Sequence, residues 1–232
     1  CASGTYKSET NKAQLVNITR STARSGIHNL GANILQMDFA QMWYVGMLFL
    51  VEFADWNGQT AIGYGCSASG SKANNGQTDS MQYHTGTTAA KRTTYGFTQY
   101  RNIEGWWDNV YDWMDGCYYN SNGLNVIKNP AQFSDTANGT LIGSMPSIGY
   151  PNDLAIPTQS GFEWALRPVS TGGSTTTYVP DYWVFYGSYP CLYHGGYYGQ
   201  SMSYGPFCVY CGSTSYSGSD VGCRLQARPP KA

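Results

Sequence analysis

Two cysteines near the end of the chain, Cys208 and Cys211, form a CxxC pair, a spacing used in redox chemistry and in zinc sites. A redox pair would act through a thiolate of lowered pKa. A zinc site would need two further ligands, or one and a water molecule, but the nearest histidine is His194 and no second metal-binding pair follows. The remaining cysteines show no spacing typical of a disulfide framework. We therefore expect no metal site and keep the redox pair as an alternative.

One short segment carries four carboxylates that could form an acid–base pair. Glycoside hydrolysis, for example, needs two carboxyl groups about 5 to 10 Å apart across a cleft. Here the carboxylates alternate with large aromatic side chains, and no GxSxG nucleophile elbow occurs. The four are Glu104, Asp108, Asp112 and Asp115. We favour a structural role for them, which the family resemblance described below implies, and a structural or surface role for His28 and His84. We predict that the protein is not an enzyme.

Tyrosine, serine and glycine dominate residues 186–223. This segment holds eight of the 20 tyrosines and four of the seven cysteines, and it contains no Trp, Lys, Arg or Glu. Tyrosine offers a large amphipathic contact area with few torsions to restrict, while serine and glycine offer adaptable hydrogen bonding. The composition indicates either an adaptable binding surface or a tyrosine-rich set of strands and turns.

The overall composition excludes some classes of partner. The formal net charge is -1 and only 12% of residues are charged, so no basic surface for nucleic acid is expected. The longest apolar stretch, residues 37–54, contains Asp38, Gln41 and Glu52, so we expect a core helix rather than a membrane span. No signal peptide is recognisable, and a chain that begins at Cys1 indicates a processed protein or a piece of a longer one.

Two early helices followed by many short strands and long loops predict an α+β domain. A first helix is predicted at residues 21–29, with Ser21 as N-cap and Gly31 as a stop. A second is predicted from Asp38, as N-cap, to about Phe53, buried on several sides because apolar residues cover most of its surface. The predicted strands are residues 96–102, 124–127, 178–186, 209–210 and 221–225.

Several segments, in this order, resemble C-type lectin-fold domains of the formylglycine-generating-enzyme branch. EGWWDNVYDWMDG at 104–116 is similar to that branch's ExxxGNVWEWxDG signature. TTYVPDYW at 176–183 precedes LYHGGYYGQ at 192–200, which lies where the branch has its RGGSW strand. VGCRLQARP at 221–229 resembles the closing strand, and residues 37–65 resemble phage structural proteins with this domain. The resemblance implies a fold of two helices, a mixed, short-stranded, largely antiparallel sheet and long loops.

Within this fold, the variable proteins of diversity-generating retroelements, such as phage tropism determinants, have a C-terminal segment rewritten by adenine-directed mutagenesis. Randomising the first two bases of an AAY codon yields Tyr, Ser, Gly, Cys and other residues, but never Trp, Lys, Glu, Gln or Met. Residues 186–223 obey this rule except at Gln200 and Met202, which would be invariant. The scattered cysteines are then products of such codons.

The same branch also contains the oxidase that converts cysteine to formylglycine. Its cysteine pair is separated by four residues, whereas two residues separate Cys208 from Cys211, and its RGGSW strand is YHGGYY here. The loop and strand motifs that bind calcium in sugar lectins are not found. The resemblance therefore favours a binder, with the oxidase and a non-variable structural virion domain as alternatives.

We predict an N-terminal arm at residues 1–17 and a C-type lectin-fold domain at 18–232, whose diversified region, about 186–223, displays a hypervariable Tyr/Ser-rich surface. The expected role is receptor recognition on a phage tail, or on a bacterial cell surface, where it meets a bacterial surface protein or glycan. The resemblance to phage proteins allows a homotrimer, with a monomer as the alternative, and we expect no cofactor. The candidate contact residues are Ser188, Tyr189, Cys191, Tyr193, His194, Tyr197, Tyr198, Ser201, Ser203, Tyr204, Cys208, Tyr210, Ser213, Ser215 and Tyr216.

Overall fold

Three α-helices and fourteen short strands are present in the described part of the chain, which confirms the α+β class. The structure is a computed structural model that describes residues 1–2, 6–66, 70–146, 148–200 and 204–228. The helices are α1 (Arg20–His28), α2 (Phe39–Phe53) and α3 (Gly58–Ala61), with a 3₁₀ turn at Pro130–Gln132. None of the described helices has the length and apolar character needed to cross a bilayer.

The strands form five small sheets among the described residues. In chain order they are β1 (Ile34–Gln36), β2 (Gly86–Thr87), β3 (Thr98–Tyr100), β4 (Ile103–Glu104), β5 (Tyr111–Trp113), β6 (Cys117–Asn120), β7 (Gly123–Val126), β8 (Thr140–Gly143), β9 (Pro151–Ala155), β10 (Arg167–Thr171), β11 (Cys191–His194), β12 (Val209–Gly212), β13 (Val221–Gly222) and β14 (Leu225–Ala227). β3 and β7 confirm the strands predicted at residues 96–102 and 124–127.

Both predicted helices are present, and the second has the predicted bounds. The Asp38 carboxylate accepts a hydrogen bond from the Gln41 backbone N–H at 2.9 Å, which satisfies one of the free donors at the start of α2. α1 begins one residue before the predicted N-cap, because Thr19 is extended and its hydroxyl accepts from the Thr22 N–H. Ser21 is therefore inside α1.

One side of α2 is exposed, which differs from the burial expected of a helix that is apolar all round. Trp43 and Phe49 have no exposed surface, whereas Tyr44, Leu48 and Val51 are 56%, 47% and 86% exposed. These three lie at positions i, i+4 and i+7 and so share one side of the helix. The structure thus leaves an apolar stripe on α2 uncovered.

The central sheet has the order β12-β11-β5-β13. β5 pairs antiparallel with β11, with Trp113 opposite Tyr193, and parallel with β13, with Tyr111 opposite Val221. The predicted strand at 209–210 is β12, which forms an edge of this sheet. The predicted strand at 221–225 is divided, since β13 joins the central sheet and β14 pairs with β1.

Residues 178–186, predicted as a strand, form only isolated bridges. Trp183 pairs with Gly149 on one side and with Val209 on the other. Pro180 has no backbone N–H and cannot extend a ladder through this segment. The bridge to Val209 nevertheless places the segment beside β12.

Tryptophans are buried on both faces of the central sheet, with Trp106 and Trp183 in the main core and Trp113 on the opposite face. Trp106, Trp113 and Trp183 are at most 2% exposed, and the Trp113 indole N–H donates to the Ile18 carbonyl at 2.9 Å. The predicted core role of the Trp-rich segment is confirmed.

A buried arginine joins α1 to the turn that follows β5. The Arg20 guanidinium has no exposed surface and donates to the carbonyls of Met114 and Cys117, at 2.9 and 2.7 Å, and to the Asp135 carboxylate at 2.9 Å. Because these acceptors lie away from solvent, their loss of a donor is costly.

We predict that Arg20→Met lowers the free energy of unfolding by about 3–5 kcal/mol, since it leaves buried acceptors without a partner. Urea unfolding followed by tryptophan fluorescence measures this. The matched control is Arg101→Met, which removes an exposed ion pair with Glu52 and should cost less than about 1 kcal/mol. Equal costs for the two variants would contradict a structural role of the buried arginine.

Candidate functional site: a tyrosine-lined cleft

The two faces of the central sheet carry different side chains because strand residues alternate between faces. Tyr111 and Trp113 of β5 pack with Tyr193 of β11 in one cluster. Leu192 and Val209, their neighbours along the strands, belong to the main core on the other side. The first face therefore presents aromatic side chains away from the main core.

On this face Tyr193 lies between two nearly parallel rings. Its ring centroid is 5.4 Å from that of Tyr210, at 16° between planes, and 6.1 Å from that of Tyr216, at 19°. Tyr111 approaches Tyr193 edge-on at 4.6 Å. Offset-stacked and edge-to-face contacts are the favoured geometries of aromatic pairs, so the cluster is a stable platform.

Above this platform is an open cleft of about 360 Å³, here called the tyrosine cleft. Its lining residues are Tyr111, Tyr186, Tyr189, Tyr193, Tyr197, Gln200, Tyr210, Cys211, Gly212, Ser213, Tyr216 and Asp220. Tyr111 and Tyr193 are at most 4% exposed and form its floor, while Tyr186 and Tyr189, each 41% exposed, form its rim. The cleft is a concave, mainly aromatic surface, which is typical of a ligand site.

Two other cavities lie elsewhere. One, of about 340 Å³, lies between the N-terminal arm and the segment around Asp108, and the other, of about 690 Å³, lies beside α2 near Tyr44 and Trp164. Residues 186–223 contribute only Cys223 to the first cavity and nothing to the second, so the tyrosine cleft is the candidate site for the segment that the sequence singles out.

The polar groups of the cleft are mostly neutral hydroxyls. Tyr216 donates its hydroxyl to the Asp220 carboxylate, with 2.7 and 2.9 Å to the two oxygens. Burial raises the pKa of Tyr111 and Tyr193 far above its usual range, and raises that of Tyr210 to about 12. These side chains are therefore protonated near neutral pH.

The structure brings six of the predicted contact residues together in the cleft. They are Tyr189, Tyr193, Tyr197, Tyr210, Ser213 and Tyr216. Ser188 and Ser215 are exposed, and Tyr198 and Tyr204 are half-buried, but none of these four lines the cleft. Ser201 and Ser203 lie outside the described residues.

Three predicted contact residues are placed in the interior, which corrects the prediction for them. Cys191, His194 and Cys208 have no exposed surface. Cys191 and His194 belong to β11, a strand covered on both faces, and Cys208 packs in the cluster beneath the tyrosines. A ligand at the surface cannot contact them in this conformation, so we assign them to the scaffold.

His194 is a structural histidine. Its Nε2 lies 2.7 Å from the Pro206 carbonyl oxygen and donates to it, and its ring lies 5.5 Å from the Trp106 indole. Burial is the main reason that the pKa of His194 falls to about 4, so the imidazole is neutral at pH 7. The hydrogen bond fixes the segment that leads into β12.

The CxxC cysteines pack in different hydrophobic clusters, and Cys211 also borders the tyrosine cleft. Cys208 packs with the tyrosine cluster, whereas Cys211 packs in the main core. Both thiols are free. Burial raises the pKa of Cys211 to about 11 and that of Cys208 well above its usual range, which disfavours the thiolate that redox chemistry needs. This geometry does not support a paired redox site.

The four carboxylates of the Trp-rich segment hold loops and ion pairs. Glu104 accepts hydrogen bonds from the backbone N–H groups of Gly76 and Thr78, each at 2.7 Å. Asp112 pairs with Arg224 at 2.9 Å. Asp108 accepts a hydrogen bond from the Thr98 hydroxyl, and Asp115 pairs with Arg24. These contacts agree with the structural role that the sequence favours.

Six lining residues were not among the predicted contact residues: Tyr111, Tyr186, Gln200, Cys211, Gly212 and Asp220. Tyr111 lies outside residues 186–223, and only its position two residues before Trp113 could have indicated a shared face. Tyr186 and Asp220 lie within the segment and have residue types that the codon rule allows. Gln200 was set aside as an invariant position.

Clustered metal ligands are not found in the part of the chain that the structure describes: no three His, Cys, Asp or Glu side chains lie together in a way that could hold an ion. Comparison with protein-family models gives no match, and comparison with curated proteins gives none either.

We predict that one thiol, that of the half-buried Cys1, reacts rapidly with Ellman's reagent in the native protein, and that all seven react after denaturation. Burial of the other six explains the difference. The number of thiols that react in the denatured protein after mild oxidation is the sharper test. Seven thiols are expected, whereas five, with a mass loss of two hydrogens, would show that Cys208 and Cys211 pair after all.

Proposed function

We propose that the protein is a ligand-binding protein that recognises a bacterial surface through the tyrosine cleft, as a receptor-recognition domain of a phage tail. The same function on a bacterial cell surface is the second candidate location. One observation carries the proposal: six tyrosines of residues 186–223 converge with Tyr111 on one open cleft. Their spacing in the sequence is irregular, and the sheet brings them together.

The arrangement of the resembling segments supports a C-type lectin fold. The segments at 104–116, 192–200 and 221–229 contribute β5, β11 and β13, which are neighbours in the central sheet. The segment at 176–183 ends at Trp183, which bridges to Val209 at the edge of that sheet. Segments far apart in the sequence thus form one unit, as a shared fold requires.

The burial pattern supports a diversified surface, with a smaller set of variable positions than the sequence suggests. A rewritten residue must tolerate many side chains, and exposed positions do so best. We propose that the variable positions include the exposed and half-exposed residues of the predicted contact set, together with the rim residue Tyr186: Tyr186, Ser188, Tyr189, Tyr197, Tyr198, Tyr204, Tyr210, Ser213, Ser215 and Tyr216. Cys191, His194 and Cys208 would be invariant.

Binding in this proposal depends on a fixed floor and an adaptable rim. The floor tyrosines are already packed, so little side-chain entropy is lost when a ligand contacts them. Rim tyrosines and serines provide the contacts that change between variants. A few aromatic residues would supply most of the binding energy.

We also propose that the chain forms a homotrimer, which would repeat the cleft and strengthen attachment to a surface with many receptors. The exposed stripe of α2, formed by Tyr44, Leu48 and Val51, is an apolar surface on which such an assembly could be built.

Two alternatives make different predictions. A formylglycine-generating-type oxidase would need Cys208 and Cys211 to cooperate, and their placement in different clusters does not favour this. A structural virion domain would have no use for a particular cleft surface, so changes at the rim would leave adsorption unchanged.

We predict that the double variant Tyr186→Ser/Tyr189→Ser binds target bacterial cells at least about tenfold more weakly, because two aromatic contacts are lost. The rings of these residues lie 5.6 Å apart on the exposed rim, so the fold should be retained. Labelled protein bound to a panel of bacterial strains is measured by flow cytometry.

The matched control is Tyr83→Ser/Tyr95→Ser, which removes two exposed tyrosines, 71% and 52% exposed, that do not line the cleft. Thermal unfolding checks that both double variants are folded. Equal binding by the two variants would contradict the proposal and favour a structural domain.

A further inference from the structure

A short loop at residues 204–208 joins the tyrosine cluster to the main core. Tyr204 packs against the cluster that forms the floor of the tyrosine cleft. The Phe207 ring packs in the main core, with its centroid 4.8 Å from that of the Trp56 ring. The loop leads directly into β12, whose residues line the cleft. The position of this loop therefore affects how the aromatic cluster is held on the core.

One buried carboxylate holds this loop. Asp181 is 2% exposed, and its Oδ2 accepts a hydrogen bond from the Phe207 backbone N–H at 2.7 Å. The Gly205 backbone N–H also stabilises the ionised carboxylate. A Cβ added at Gly205 would lie only 2.5 Å from an Asp181 oxygen, so the two segments are in close contact. The carboxylate thus connects the segment at 178–186 to the loop.

No positive charge accompanies this carboxylate. In the described part of the chain, Asp181 forms no ion pair with Lys, Arg or His. From the loop, the Cys208 thiol faces it, and burial raises the pKa of this thiol well above its usual range, so it is neutral. From β11, the imidazole of His194 contacts the Pro206 carbonyl of the same loop, and burial lowers its pKa to about 4. An ionised Asp181 is thus a buried charge without a counter-ion.

The cost of burying that charge outweighs the hydrogen bonds that it accepts. Burial disfavours an ionised carboxylate, whereas the backbone N–H groups favour it. Burial is the larger effect and raises the pKa of Asp181 from its ordinary value of 3.8 to about 7. When the loop opens to solvent, the pKa returns to its ordinary range. Because the closed loop binds the proton more tightly, closure is most stable below about pH 4 and weakens as the pH rises to about 7.

We propose that Asp181 is a positioning residue that acts as a proton-controlled latch: its neutral carboxyl holds the 204–208 loop closed more firmly than the ionised carboxylate does. The unprotonated oxygen of a neutral carboxyl still accepts from the Phe207 N–H. The latch is a property of the fold, and its influence on ligand binding rests on the function proposed above. At neutral pH the loop opens more often, and Tyr204 then leaves the tyrosine cluster.

Amide hydrogen exchange in the full chain tests the latch. The equilibrium constant for opening at the Phe207 N–H, corrected for the intrinsic exchange rate, is expected to rise at least about tenfold from pH 5 to pH 7. Asp181→Asn supplies a neutral side chain of the same shape, so its opening constant should change less than about twofold. An opening constant that is the same at both pH values in the wild-type chain, or that rises equally in both chains, would overturn the inference.

The matched control is Asp108→Asn. Asp108 is also a buried carboxylate, 1% exposed, but it lines the cavity near the N-terminal arm. This variant should leave the pH dependence at Phe207 unchanged. If Asp108→Asn and Asp181→Asn reduce the dependence equally, the Phe207 amide exchanges through unfolding of the whole domain, and the separate latch is wrong.

A second measurement uses the wild-type chain alone and does not depend on how the variants fold. Carbon-13 NMR of the aspartate carboxyl groups follows the titration of Asp181. We expect a midpoint near pH 7, well above the ordinary range of aspartate. A midpoint below about pH 5 would show that the closed loop does not favour the neutral carboxyl, and the inference would fail.

The rim variant Tyr186→Ser/Tyr189→Ser separates the latch from the proposed function. If this variant loses adsorption to cells while exchange at Phe207 is independent of pH, the proposed function stands and the latch is wrong. If exchange shows the expected pH dependence while the rim variant retains adsorption, the latch stands and the proposed function fails.

Discussion

The pairing of β5 with β11 is the constraint on which the candidate site depends. It places Tyr193 opposite Trp113 and brings Tyr111 edge-on to the Tyr193 ring. A slip of one residue would turn Tyr193 into the main core and bring Leu192 or His194 to the cleft, because strand side chains alternate. Burial on both faces fixes this register, and the register fixes the floor of the cleft.

The rest of the fold holds that sheet in place and leaves the rim free to change. Arg20 ties α1 to the carbonyls of Met114 and Cys117, next to β5, and the His194 imidazole holds the Pro206 carbonyl before β12. Each of these buried contacts needs a particular donor and acceptor, so substitution of Arg20 or His194 would leave a buried polar group without a partner. The rim lies in loops and at strand ends, where changes are tolerated best.

Local chemistry was predictable from the sequence, and long-range pairing was not. Asp38 identified the start of α2 because capping depends on neighbouring residues alone. The inward orientation of His194 and Cys208 depends on strand parity, which a Tyr-, Ser- and Gly-rich composition does not reveal. Tyr111 and Asp220 enter the cleft through pairing of β5 with β11 and β13, which no local pattern specifies.

The encoding DNA offers the most direct measurement of the central claim, that residues 186–223 form a diversified binding face on a fixed sheet. The locus is sequenced for a near-copy of these codons beside a reverse-transcriptase gene. The account predicts a near-copy that differs at adenines, in codons of exposed residues such as Tyr189 and Ser215 and not in those of Leu192 or Val209. A locus without a near-copy, or differences concentrated at the buried codons, would contradict it.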